Sequence, residues 1–125
     1  MSVIAKDVAE DMVKNWEADL ESELSQSSRG IIVRAVSNGR VDLADGVFTV
    51  RLVSPIALKN GDTVETLKIR EPNARDLQKA AKGNRDDMDT TIDLISALSG
   101  QSVAVIDQIA QRDATLISQL LTFFQ

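Results

Sequence analysis

The apolar positions of this chain change their spacing twice. Between residues 2 and 25 they recur every fourth residue, at Ile4, Val8, Met12, Trp16, Leu20 and Leu24, with Ala9 and Val13 beside them. That spacing predicts one amphipathic helix. Each step of four residues advances about 40° at about 100° per residue, so the stripe winds around the helix axis. A long two-stranded coiled coil, which needs a straight seam, does not fit. The winding stripe either wraps the chain's own core or pairs with another chain. Ser25-Gln26-Ser27-Ser28 ends the pattern and reads as a short polar linker.

From residue 30 to residue 70 the period shortens to two. Ile31-Ile32-Val33-Arg34-Ala35-Val36 reads as a short strand, and Asn38-Gly39 as a hairpin turn, because both central positions of a type I′ turn need φ > 0. Val41 and Leu43 alternate with Asp42, and Asp45-Gly46 is a second turn of the same kind. Phe48, Val50 and Leu52 then alternate with Thr49 and Arg51 until Pro55 stops the strand. Asn60-Gly61-Asp62 turns the chain into a last strand, Val64 to Ile69. Short connections of this sort predict an antiparallel meander of three or four strands.

After Pro72, which suits the first turn of a helix, the helical period returns. One helix is expected to run to about Lys82 and stop at Gly83-Asn84. A second spans about Asp86 to Leu98, with Met88, Ile92, Ile95 and Leu98 on one face and Gly100 past its end. Ser102 caps a short third helix holding Val103, Ile106 and Ile109, and Asp113 caps a fourth with Leu116, Ile117, Leu120, Leu121, Phe123 and Phe124. The expected fold class is α+β: an N-terminal amphipathic helix, a small antiparallel β-meander and a C-terminal bundle of three to four short helices. A helical arm over 1–28 is expected to precede a body over 29–125, with strands to 71 and helices from 72.

Composition narrows the chemistry. At 125 residues and 43% hydrophobic the chain is sized for one domain with an aliphatic core. It has no Cys and no His, which removes thiolate catalysis, sulfur-based zinc sites and the commonest general base. No Gly-rich phosphate loop is present, so neither catalytic residues nor a cofactor are expected. No apolar run approaches the roughly 20 residues of a membrane span, and the acidic start is no signal peptide. The cytoplasm is the expected location. Residues 1–24 carry Lys6 and Lys14 against seven carboxylates, which accounts for the whole net charge of −5. An acidic arm on a neutral body argues against nucleic acid and anionic membranes as partners and leaves proteins.

Two charged clusters read as solvated surface. Asp86, Asp87, Asp89 and Asp93 lack the Gly and distal Glu of a calcium loop and suit a helix start, so no metal site is expected. Lys68, Arg70, Arg75, Lys79, Lys82 and Arg85 outnumber Glu71 and Asp76, but no aromatic residue is interleaved for base stacking. Two apolar features are candidate partner surfaces. One is the N-terminal helix, through Met12, Trp16 and Leu20. The other is the C-terminal arc of Leu116, Leu120, Phe123 and Phe124, wider than a small bundle normally buries. Core packing accounts for most of these side chains, and any exposed remainder is a partner surface.

The ordered set Phe48-Thr49-Val50-Arg51-Leu52-Val53-Ser54-Pro55-Ile56, the Gly61 turn, Leu67-Lys68-Ile69-Arg70-Glu71-Pro72 and Asp76-Leu77 resembles the phage tail assembly chaperones of Mu-like and related contractile-tailed phages. Leu98-Ser99-Gly100, Ile106-Asp107-Gln108-Ile109, Asp113 and Phe123-Phe124 extend the likeness, which covers about residues 47–125 and leaves 1–46 outside. The resemblance implies a non-enzymatic protein that coats the tape measure protein, keeps it soluble and hands it to tail tube subunits in the host bacterial cytoplasm, without entering the mature virion. An alternative role is a structural tail or baseplate component that joins neighbouring subunits through the β region. Self-association through the N-terminal helix is a further expectation, since dimers are the commonest homo-oligomers. Arg70, Glu71, Pro72 and Asp76 read as a structural joint: strand end, helix start and an Arg–carboxylate pair.

Overall fold

The computed structural model describes residues 3–80 and 87–124, and their side chains except those at 77, 79, 80, 87 and 88. In it the N-terminal stripe is divided between two antiparallel helices, α1 (Lys6–Asp19) and α2 (Gln26–Ser37). The single helix expected over 2–25 breaks because Glu21 takes a left-handed φ of 51°. The amides of Glu21 and Ser22 then fold back onto the carbonyls of Ala18 and Glu17, a Schellman closure. No glycine announces this stop. The Glu17 side chain secures it, accepting from the Leu24 amide at 3.1 Å and from Arg29 Nε and Nη2 at 2.8 Å each.

Residues 25–28, expected as a linker, instead start α2. Ser25 is its N-cap and accepts from the Ser28 amide at 3.2 Å. The expected strand at 31–36 is helical. Its buried residues Ile32, Val33, Ala35 and Val36 fall at helical spacing, and burial of that face outweighs the β preference of branched side chains. Asn38-Gly39 is accordingly no hairpin. Gly39, at φ 73°, follows the end of α2, where the Gly39 and Arg40 amides return to the carbonyls of Val36 and Ala35. The expected boundary between arm and body at 28/29 falls inside α2. Near the start of the chain, the Ile4 amide donates to the Ser37 carbonyl at 3.0 Å, and Ser37 Oγ donates to the Ile4 carbonyl at 2.8 Å. These two bonds tie the entry of α1 to the exit of α2.

Three antiparallel strands follow in the order β1 (Val41–Ala44), β2 (Val47–Ala57) and β3 (Thr63–Ile69). Asp45 and Gly46 have φ of 53° and 76°, as the expected hairpin turn requires. Pro55 does not end β2. Arg51 pairs with Thr66 and Ile56 with Val64, so residues 52–55 bulge opposite Glu65. Pro55 sits in that bulge, where no ladder hydrogen bond is asked of it. Val41, Phe48, Val50, Leu67 and Ile69 form the buried face, while Asp42, Arg51, Thr66 and Lys68 point to solvent.

The C-terminal part comprises α3 (Ala74–Ala80), α4 (Asp87–Ser99), α5 (Val103–Ile106), α6 (Gln111–Leu121) and a 3-10 turn over Thr122–Phe124. The helix expected at Pro72 starts two residues later. Asn73 and Asp76 exchange bonds between each side chain and the other's amide, both at 2.9 Å, in the manner of a capping box. The expected stop at Gly83-Asn84, the helix end near Lys82 and Asp86 lie outside the described residues. Ser102 caps α5, accepting from the Val105 amide at 3.3 Å. The expected third helix ends at Ile106, before Ile109. Asp113 does not cap α6: Ala110 occupies that position and Asp113 lies in the first turn, fully buried. The architecture is α+β, with helices on both ends of the chain packed onto one face of the sheet.

The chain's four aromatic residues share the centre of the core. Trp16 of α1 meets Phe48 of β2 edge-on at 5.8 Å and Phe123 at 6.5 Å between ring centroids. Phe48 lies 5.4 Å from Phe123 and 5.9 Å from Phe124. Such offset and edge-on pairs add about 0.5–1.5 kcal/mol each beyond area burial.

Candidate functional site

The bulge in β2 takes the Val53 and Ser54 amides out of the strand ladder, and buried or half-buried amides need acceptors. Asp113 supplies them. Its Oδ1 accepts from the Val53 amide at 2.8 Å and its Oδ2 from the Ser54 amide at 3.1 Å. Arg40 Nη2 donates to Oδ1 at 2.6 Å, with Asp113 0% and Arg40 18% exposed. The arrangement welds the end of α2, the bulge and the start of α6. Sequence reasoning missed it: an Asp in a helix first turn signals a cap, and nothing local points to an acceptor role across 60 residues of separation.

The residues of the expected joint do come together. Arg70 Nη1 and Nη2 donate to Asp76 Oδ2 and Oδ1 at 2.7 and 3.1 Å, and Nη2 reaches the Ala97 carbonyl at 3.3 Å. The Arg70 amide donates to the Leu98 carbonyl at 3.4 Å. This fork ties the end of β3 to α3 and to the end of α4, with Glu71 exposed and Pro72 half-buried between them. The Asp76 hydrogen bonds raise the Arg70 pKa above its ordinary value. At the other end of the molecule, hydrogen bonding from Arg29 holds the Glu17 carboxyl below the usual carboxylate range, against an opposing contribution from burial.

Of the candidate partner residues, Trp16, Leu116, Leu120 and Phe123 are closed into the core, between 0% and 6% exposed. Met12, Leu20 and Phe124 are half-buried and pack against it. The two apolar features therefore meet each other: Trp16 of α1 and Phe123 of the C-terminal arc pack against each other and against Phe48. The C-terminal helices still show apolar surface through exposed Val103 and half-buried Ile92, Leu94, Val105 and Ile109. Among the described residues no group of three or more carboxylates is placed to hold a metal ion. Of the basic cluster, Lys68 and Arg75 are exposed and Arg70 is engaged by Asp76. Lys82 and Arg85 lie outside the described residues, as does the Lys79 side chain.

The family described as phage tail assembly chaperone proteins, E, or 41 or 14, matches residues 49–125. The chain belongs to the phage tail assembly chaperones. No curated protein and no solved structure matches it significantly. The match includes the β2 bulge, the Arg70–Asp76 joint and Asp113. It excludes α1, α2 and β1, which this tail assembly chaperone nonetheless builds into the same core. No described helix is long and apolar enough to cross a membrane.

Proposed function

We propose that this chaperone binds the tape measure protein without enzymatic chemistry, keeps it soluble during tail assembly in the host cytoplasm, and leaves before the particle is complete. The family match over residues 49–125 carries this reading. The composition supports it, since a holding role needs apolar surface and solubilising charge. The C-terminal helices retain Ile92, Leu94, Val105 and Ile109 only partly covered, which suits recognition of aliphatic positions on a helical client. Co-expression with the tape measure protein of the same phage is the direct test. The soluble fraction of that protein should rise with the chaperone present, and purified particles should lack the chaperone by mass spectrometry. A tape measure protein equally insoluble in both cases overturns the client. Stoichiometric chaperone in finished particles favours the structural-component role instead.

A further inference from the structure

The N-terminal helix pair lies outside the family match and carries an open groove of about 720 Å³ between α1 and α2. Lys6, Glu10 and Lys14 stand one turn apart along one wall, and Gly30, Ile31 and Arg34 line the other. Gly30 leaves a notch there, since a Cβ would meet nothing within 4 Å. Its backbone has no positive φ to require glycine, so α2 gives up helix stability at this point without a local steric reason. Beside the notch, Ile31 is 41% exposed.

Charge is sorted across this hairpin. Residues 1–24 sum to −5, yet Asp7, Asp11 and Asp19 lie off the groove lining and Glu10 is its one carboxylate among the described residues. Lys6, Lys14 and Arg34 are on it and make no salt bridge among the described residues. Three cations outside any salt bridge, offset by Glu10 alone, therefore frame an aliphatic notch between the acidic α1 and α2.

We propose that this groove docks an acidic amphipathic helix of another protein, with its carboxylates over Lys6, Lys14 and Arg34 and a seam of small aliphatic residues against Gly30 and Ile31. Lys6 to Lys14 spans about 12 Å of helix axis, enough for two turns of the occupant. The missing Cβ lets a third helix approach at the 8–10 Å spacing of packed helices. A nucleic acid strand would carry its unbroken phosphates past Glu10 as well, whereas a helix places carboxylates only at the positions facing the cations. A second copy of the chain would bring two arms of −5 together.

The probe is a synthetic helical peptide of about 20 residues, long enough to be helical alone, with Ala and Leu on one face and Glu on the other. Its Glu→Lys counterpart is the control. Titrated into the full isotope-labelled chain, the Glu peptide should shift amides over 6–14 and 27–37 saturably, and the Lys peptide should not. The K6E/K14E/R34E chain should bind roughly tenfold more weakly or worse. Gly30→Leu should block binding while leaving the circular dichroism spectrum intact, because the position is open. No binding of the Glu peptide, equal binding of both peptides, or shifts centred elsewhere overturns the proposal. So does a dimer in sedimentation that K6E/K14E/R34E dissociates, which gives the groove to a second copy. None of these outcomes bears on whether the tape measure protein is the client of the family-matched region.

Discussion

A buried carboxylate is costly unless its charge and its lone pairs are answered, and at Asp113 they are answered by two amides and one guanidinium. The amides belong to a bulge that no strand can pair, so the carboxylate serves where a neighbouring strand's carbonyls would otherwise serve. Removing it leaves the Val53 and Ser54 amides unpaired, while Arg40, still 18% exposed, partly rehydrates. Asp113→Ala should therefore destabilise the fold by about 3 kcal/mol, at the lower end for a broken buried pair, read from urea unfolding. A loss smaller than about 0.5 kcal/mol, the range of an ordinary surface change, would mean the bulge finds other acceptors. The Arg70–Asp76 fork has similar distances but an Arg side chain 43% exposed, and its share of stability is correspondingly small. Sequence alone pointed to an Arg–carboxylate pair within the joint because Arg70, Glu71 and Asp76 lie within six residues, and the structure gives the partner as Asp76. The Asp113 contacts join residues separated by 59 to 73 positions, a distance over which no local pattern carries a signal.

Among the elements, the Asp45-Gly46 hairpin, the existence of β2 and β3 and the helical character of the C-terminal part follow from the sequence pattern, the Pro55 stop and the Asp113 cap do not, and neither does α2. The run Ile31–Val36 is β-branched enough to look like a strand, while its helical evidence lies in Ser25 as cap and in the burial of Ile32, Val33 and Val36. Asn38-Gly39 carries the right conformational demand in the wrong setting: a type I′ turn and the residue after a helix both want φ > 0. The end of α1 is harder still, because a Glu occupies the left-handed position and the stop depends on the clasp of Glu17 with Arg29 and Leu24. That clasp makes the helix pair sensitive to acid. The folded-state pKa of Glu17 is lowered, so the unfolded chain binds this proton more readily. The clasp's contribution is complete above the ordinary carboxylate value of about 4.5 and is lost as pH falls through the folded value. Glu17→Gln should thus be less stable than the parent at neutral pH, and the gap should close on acidification. A gap that stays constant from pH 7 to pH 3 would assign the loss to hydrogen-bond geometry and remove the charge from the argument.

At the scale of the whole molecule, the winding stripe of α1 is matched to the chain's own core, and this determines what can be removed. Trp16 lies edge-on to both Phe48 and Phe123, so one ring from the N-terminal helix touches the sheet and the last turn of the chain. Ala9 and Val13 are fully buried on the same face. Deleting the first helix would strip the cover from Phe48 instead of releasing an independent body, even though the family match begins only at residue 49. Contacts that join the first, middle and last parts of a sequence also make partial unfolding expensive, because each part loses its neighbours when another leaves. Trp16 fluorescence, which reports on α1, and far-UV circular dichroism, which reports on all helices, should therefore follow one common curve in urea. If the fluorescence transition precedes the dichroism transition, α1 detaches while the rest stays folded. The first helix would then be a separable arm whose docking competes with whatever binds the exposed Phe48 surface.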